Sequence, residues 1–252
     1  MNYKLTIKIV KDAAEFNKTC AEKIKEQIAK NPQSVLGLAT GGTPVGVYKE
    51  LVSMHKAGAV DFGGIKTFNL DEYYPIEKGN SQSYYTYMGE NLFDHVNINK
   101  ANTNIPSGEA KDPQAECDAY EEKITKAGGI DYQILGIGSN GHIGFNEPDD
   151  FFPDRTHFVD LNQKTIEDNA RYFDSIDDVP KKAITMGIKT IMGAKKILLM
   201  ATGAGKAGII KEALFGNITP KVPASILQLH SDVTVVLDEA AAAEIKSSIS
   251  NV

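Results

Sequence analysis

The sequence predicts an α/β protein: one mostly parallel β-sheet with helices packed on both of its faces. Three observations lead there. Strand-like and helix-like segments alternate almost from the start. Several strand segments are near-continuous apolar runs, as strands covered on both faces must be. The 252 residues, 42% apolar and 24% charged, suffice for one large core. No repeat, low-complexity tract or long linker interrupts the alternation, so residues 1–252 are read as a single domain.

Thr6-Ile7-Lys8-Ile9-Val10 alternates polar and apolar as a strand does, and Asp12 is placed to cap a helix reaching about Lys30. Val35–Thr40 reads as a buried strand, broken by Gly41-Gly42-Thr43-Pro44. With Thr43 at the N-cap and Pro44 at the first helical position, a helix then carries Val47, Tyr48, Leu51, Val52 and Met54 at helical spacing. A strand at Lys66–Leu70 leads into a Tyr-rich stretch with a helix over about Ser81–His95. Pro113 opens a helix to about Lys126, closed by Gly128-Gly129. Tyr132–Gly138 and Lys195–Thr202 are buried strands, separated by a shorter strand, Thr156–Leu161, and a helical stretch, Lys164–Phe173. A helix from Lys206, a strand at Asp232–Leu237 and an Ala-rich helix complete the chain.

Composition removes several classes of function. With 27 basic against 33 acidic side chains the net charge is −6, the wrong sign for a sequence-independent nucleic-acid binder. No apolar run approaches the roughly 18–20 residues of a membrane span, and Met1-Asn2-Tyr3-Lys4-Leu5 has no long apolar stretch, so neither export nor a membrane partner is expected. Cys20 and Cys117 form neither a disulfide framework nor a metal signature, which fits a reducing cytoplasm. Arg155 and Arg171 are the only arginines. Arginine is the planar clamp for phosphate or carboxylate, which draws attention to both.

In parallel sheets, ligands bind beyond the carboxyl ends of the strands. Gly136-Ile137-Gly138-Ser139-Asn140-Gly141 satisfies a dinucleotide fingerprint, but the prolines at 148 and 153 and the glycine at 144 prevent the crossover helix it requires. Gly203-Ala204-Gly205-Lys206-Ala207 lacks the length and the Ser/Thr of an ATP-binding loop. Glycines at 41 and 42 can equally be a plain tight turn. Two such turns at strand exits, one followed by the cation of Lys206, favour a phosphate group without a nucleotide. Asp71-Glu72 is either a helix cap or a general base placed at a strand exit. His142, with Asn140 and Glu147 close by, suits proton transfer near neutral pH. The other histidines lack paired ligand spacing, so no metal is expected. Tyr73, Tyr74, Tyr84, Tyr85 and Tyr87 read as packing residues. The residues themselves thus reach a small phosphorylated substrate with acid–base chemistry, and no named reaction.

Leu38-Ala39-Thr40-Gly41-Gly42-Thr43-Pro44, Thr67-Phe68-Asn69-Leu70-Asp71-Glu72-Tyr73 and the run from Gly136 to Pro148 closely resemble glucosamine-6-phosphate deaminases. Ser83-Tyr84-Tyr85, Phe93-Asp94-His95-Val96, Arg155-Thr156 and Leu227-Gln228-Leu229-His230 extend the resemblance along nearly the whole chain. The resemblance implies a Rossmann-like fold of the sugar-phosphate isomerase type. It also implies conversion of D-glucosamine 6-phosphate and water to D-fructose 6-phosphate and ammonia, with no cofactor. By the same resemblance, Asp71 moves the proton between C2 and C1, and His142 opens the pyranose ring with Glu147 in support. Thr40, Gly41, Gly42, Thr43, Arg171 and Lys206 hold the phosphate, Arg171 from a lid at about 161–184. Asn140 stands where many relatives carry aspartate, leaving Glu147 as the main carboxylate for His142. His157 and Val159, followed by Asp160, replace the basic pair by which allosteric relatives bind N-acetylglucosamine 6-phosphate, and the chain stops early after its last helix. Hyperbolic kinetics and a monomer are therefore expected, a homo-oligomer being the alternative. A related lactonase or isomerase and a non-catalytic sugar-phosphate sensor are the rival readings.

Overall fold

The structure, a computed structural model, describes residues 4–246. The chain runs β1 (Lys4–Val10), α1 (Ala13–Lys30), β2 (Val35–Leu38), α2 (Gly42–Lys56), β3 (Lys66–Asn69) and β4 (Asp71–Tyr74). It continues through α3 (Tyr84–Met88), β5 (Thr103–Asn104), α4 (Pro113–Lys126), β6 (Tyr132–Leu135), β7 (His157–Asp160), α5 (Gln163–Asn169) and β8 (Lys182–Thr185). The last elements are α6 (Ile188–Met192), β9 (Ile197–Ala201), α7 (Ala207–Phe215) and β10 (Asp232–Asp238).

Seven strands form one sheet in the order β1-β10-β9-β6-β2-β3-β5, and every pairing in it is parallel. Apolar residues on its two faces make two cores. One lies under α1 and α2 around Phe16, Ile24, Tyr48, Leu36 and Leu198; the other lies under α4, α6 and α7 around Phe68, Tyr120, Ile191, Leu199 and Ile210. Helix α1 starts where expected, because the Asp12 carboxylate accepts the Glu15 amide at 2.9 Å, and it buries Phe16, Cys20, Ile24 and Ile28 at four-residue spacing. Helix α4 is capped by Asp112, which accepts from Gln114 and Ala115, with Pro113 in its first turn.

A second, three-stranded antiparallel sheet, β4-β8-β7, was not expected. The chain passes from one sheet to the other at a single residue. The Leu70 amide donates to Leu38 of the large sheet at 3.0 Å, and its carbonyl accepts from Met186 beside β8 at 2.8 Å. Asp71 follows directly as the first residue of β4. A third small core, with Tyr73, Ile76, Phe145, Leu161, Ile166 and Val179, fills the space below this sheet and α5.

Other expectations need correction. The helix over Ser81–His95 is only α3, starting at Tyr84 and continued by a π-helical turn, Gly89–Phe93. The helical stretch to Phe173 ends at Asn169, followed by a 3-10 turn, Ala170–Tyr172. Residues 239–245 of the Ala-rich segment are turns; Lys246 is helical, and the rest lies outside the described residues.

Candidate active site

The site gathers at the carboxyl ends of β2, β3, β6 and β9. At the β2 exit, Gly41 takes φ +92°, turning the chain at once so that α2 begins at Gly42. The N-cap is therefore Gly41 and not Thr43; Thr43 and Pro44 lie within the first turn. Among the described residues no side chain caps this terminus, and first-turn amides without such a cap can bind an anion. Tyrosine hydroxyls surround the turn. That of Tyr87 donates to the Gly41 carbonyl at 2.7 Å, and that of Tyr84 lies against the Thr40 hydroxyl. A Cβ on Gly42 would sit 3.2 Å from the Tyr172 hydroxyl.

At the β9 exit Gly203 takes φ +90°, and its amide donates to both oxygens of Asp238 at 3.0 Å. Lys206 follows in a 3-10 turn, Ala204–Lys206. Burial pushes its ammonium down from the usual lysine range; Asp168 opposes that shift and the Arg171 guanidinium adds to it. The two cations expected to hold phosphate therefore share one neighbourhood, in which Asp168 lies near Lys206.

Asp71 is 6% exposed and Glu72 2%. Burial, with the neighbouring Glu72 charge added, lifts the Asp71 carboxyl to about 8. Burial also lifts Glu72, to about 7, against the pull of three backbone amides: Tyr73 and Tyr84 at 2.9 Å and Tyr85 at 3.0 Å. Two of those amides open α3. Glu72 thus shares the capping of α3 with Ser83, whose hydroxyl accepts the Thr86 amide at 3.0 Å.

The loop after β6 supplies the other half. The His142 ring packs over Gly138, where a Cβ would lie 2.3 Å from it. Nδ1 of His142 faces Glu147 Oε2 at 3.4 Å, an ion-pair distance without hydrogen-bond geometry. Asn140 Nδ2 donates to the same oxygen at 2.7 Å, while Asn140 Oδ1 accepts the His142 amide at 3.2 Å. Thr165 of α5 donates to Oε1. Burial opposes the Glu147 charge, but His142, Thr165 and Asn140 together hold the carboxyl below its usual range. The loop closes on Asp71: a Cβ on Gly144 would lie 3.6 Å from Asp71 Oδ2.

Sequence reasoning missed Thr165, Thr185 and Tyr172. Thr185 Oγ1 accepts the Phe145 amide at 3.0 Å and so fixes the loop against β8. The tyrosines read as packing do pack: Tyr73 and Tyr84 stand 4.9 Å apart and both meet Phe145. Of their hydroxyls, those of Tyr84 and Tyr87 meet Thr40 and Gly41, whereas that of Tyr74 donates to the Ala110 carbonyl at 2.9 Å. A groove of about 990 Å³ is lined by Ile76, Asn80, Pro180, Tyr172 and Phe173; it meets the site at Tyr172, and none of the residues expected from the sequence lines it.

Residues 10–236 match the family described as glucosamine-6-phosphate isomerases/6-phosphogluconolactonase. The chain belongs to this family. Within the glucosamine-6-phosphate isomerase/6-phosphogluconolactonase family, it is 54% identical over 241 residues to a glucosamine-6-phosphate deaminase of Clostridium botulinum (strain Kyoto / Type A2), covering 96% of this chain and 99% of the relative. A glucosamine-6-phosphate deaminase of Alkaliphilus oremlandii (strain OhILAs) is 55% identical, with 94% and 99% covered. A solved structure of a monomeric glucosamine-6-phosphate deaminase superposes with a TM-score of 0.93 at 46% identity, covering 95% of this chain and 99% of that one. The 6-phosphogluconolactonase from Thermotoga maritima shares the fold, with a TM-score of 0.74 at 21% identity over 93% of this chain and 100% of that one. The α/β fold of the sugar-phosphate isomerase type is thus the fold of this family member.

Proposed function

We propose that the chain is a glucosamine-6-phosphate deaminase, converting D-glucosamine 6-phosphate and water to D-fructose 6-phosphate and ammonia. The observation that carries this reading is a pair of carboxylates at one histidine loop: Asp71, buried beside Glu72 where the loop packs on it at Gly144, and Glu147 within the loop, held charged by three neighbours. The full-length similarity to glucosamine-6-phosphate deaminases supports it.

The substrate phosphate sits between the α2 amides after Gly41 and the cations of Lys206 and Arg171. His142 carries the proton of the anomeric O1 hydroxyl to ring O5, and Glu147 stabilises the imidazolium that forms in transit. The open chain exposes the C1–C2 edge. Asp71 removes the C2 proton; the electron pair forms the C1–C2 double bond, and O1 takes the proton that the C2 ammonium gives up, leaving an enolamine. The same carboxyl returns its proton to C1, leaving an imine at C2. Water adds there, and ammonia leaves as the C2 carbonyl forms. A carboxyl that prefers its neutral form suits both halves of this shuttle. The substrate's own C2 ammonium supplies the positive charge that favours the carboxylate when the base is needed.

Residues 161–184 form the lid of this single-domain enzyme and carry Arg171. The monomeric state of the 46% identical structure supports a monomer. The buried thiols of Cys20 and Cys117 suit the cytoplasm, and among the described residues no helix is long and apolar enough to cross a membrane. The purified protein is incubated with glucosamine 6-phosphate while ammonia and fructose 6-phosphate are measured together. Equal amounts of both are expected; turnover of 6-phosphogluconolactone without ammonia from the amino sugar would overturn the reading.

A further inference from the structure

We propose that Thr165 is a positioning residue for ring opening, acting through Glu147 on His142. The proposal rests on the deaminase reading above. Glu147 has long, rotatable stem bonds, and its direction is set by what its two oxygens meet. Oε2 is shared between Asn140, at 2.7 Å, and His142, at 3.4 Å. Both belong to the same loop as Glu147, so they move with it. Among the described residues, Oε1 accepts from the Thr165 hydroxyl alone, and Thr165 comes from a different element. Thr165 is the external reference that fixes the rotation of the carboxylate.

Its surroundings favour that role over a packing role alone. Thr165 is 2% exposed, in the first turn of α5, and its hydroxyl proton goes to Glu147. One turn later, Asp168 accepts from Ser139 at 2.8 Å, and Lys164 pairs with Asp168 at 2.9 Å. Helix α5 therefore grips both ends of the catalytic loop, at Ser139 and at Glu147. Arg171 lies just beyond the end of this helix, and Asp168 acts on Lys206. One short segment thus carries a cation of the phosphate site and the clamp on the acid–base pair.

The test compares Thr165→Val, which keeps the shape and loses the donor, with Thr165→Ser, which keeps the donor and loses the methyl. Turnover of glucosamine 6-phosphate is measured together with the affinity for 2-amino-2-deoxyglucitol 6-phosphate, an open-chain analogue that has no ring to open. Thr165→Val should lower kcat about tenfold, as small misplacements of catalytic groups do. KM and analogue affinity should stay within about twofold, and Thr165→Ser should recover most of the lost kcat. Thr165→Ala is a second donor-less variant and should behave like Thr165→Val. Wild-type kcat in the donor-less variants, a serine variant as slow as the valine variant, or analogue affinity falling in step with kcat would overturn the proposal. A wild-type protein that releases no ammonia would overturn the deaminase reading instead.

Discussion

Asp71 and Glu147 carry the same chemical group, and their surroundings drive it in opposite directions. Asp71 is nearly covered, has a second carboxyl beside it and, among the described residues, no ion pair, and is lifted to about 8. Glu147 is also mostly covered, yet a histidine, a threonine and an asparagine keep it charged. Environments that push titratable groups apart separate their work: one can gain and lose a proton, the other serves as a fixed charge. The difference arises from local construction. Asp71 heads a strand whose backbone is already paired, whereas Glu147 ends a glycine-rich loop with polar side chains turned inward.

The largest effect should come from removing the proton carrier. Asp71→Asn keeps the shape, and turnover should fall roughly 10²–10⁴-fold, whereas Glu147→Gln should cost about 10²-fold. Deuterium at C2 of the substrate should appear partly at C1 of the product in the wild type. Near-normal turnover by Asp71→Asn would abolish the contrast altogether.

The phosphate cations come next. Lys206→Ala and Arg171→Ala should each raise KM, by about 1.5–3 kcal/mol of lost charge-assisted bonding, or roughly ten- to hundredfold. Unphosphorylated glucosamine should be a very poor substrate. If it is turned over as well as its 6-phosphate, these cations are not an anion site.

Stability sharpens the contrast further. Asp71 has a folded value raised above its unfolded 3.8, so its contribution is fully present below that pH and is lost as the pH rises towards about 8. Asp71→Asn should therefore melt higher than wild type at pH 8.5, by about 2–4 °C per kcal/mol released, and the gap should shrink at pH 5. Glu147→Gln should melt lower at neutral pH, since three partners favour its charge. A pH-independent gap for Asp71→Asn would mean that its carboxyl titrates in the ordinary range.

The smallest effect is an expected zero. His157 is pushed down by burial and its Nδ1 faces the Arg155 carbonyl at 2.9 Å, so near pH 7 it offers an effector phosphate no cation; Val159 offers no donor. N-acetylglucosamine 6-phosphate should leave the rate curve hyperbolic and unshifted. A sigmoidal curve that this compound straightens would overturn the expectation.

The parts of the molecule differ in how openly the sequence declares them. Strands β2, β6, β9 and β10 are legible because a strand covered on both faces is nearly all apolar. Strand β4 is hidden: Asp71-Glu72-Tyr73-Tyr74 reads as polar loop, and its partner β8 is four residues long and lies 111 positions away in the register Asp71↔Thr185–Tyr74↔Lys182. Thr43-Pro44 is a strong helix-start signature, but the handedness of Gly41 starts the helix earlier. Asp71, His142 and Glu147 are legible as strand-exit or loop residues with suitable chemistry. Thr165 is not, because a threonine inside a short helix looks ordinary until the fold brings Glu147 to it.

Gly41 carries one more consequence, for how such an enzyme can change over generations. A Cβ there would meet nothing within 4 Å, so there is room for a side chain. What excludes one is the backbone, φ +92° and ψ −168°, a conformation open in practice only to glycine. Mutation at this codon is penalised by the backbone whatever the site holds, whereas a change at His142 or Glu147 acts only through the side chain that it removes. The anchor is inherited as a backbone shape, and descendants can diverge around it.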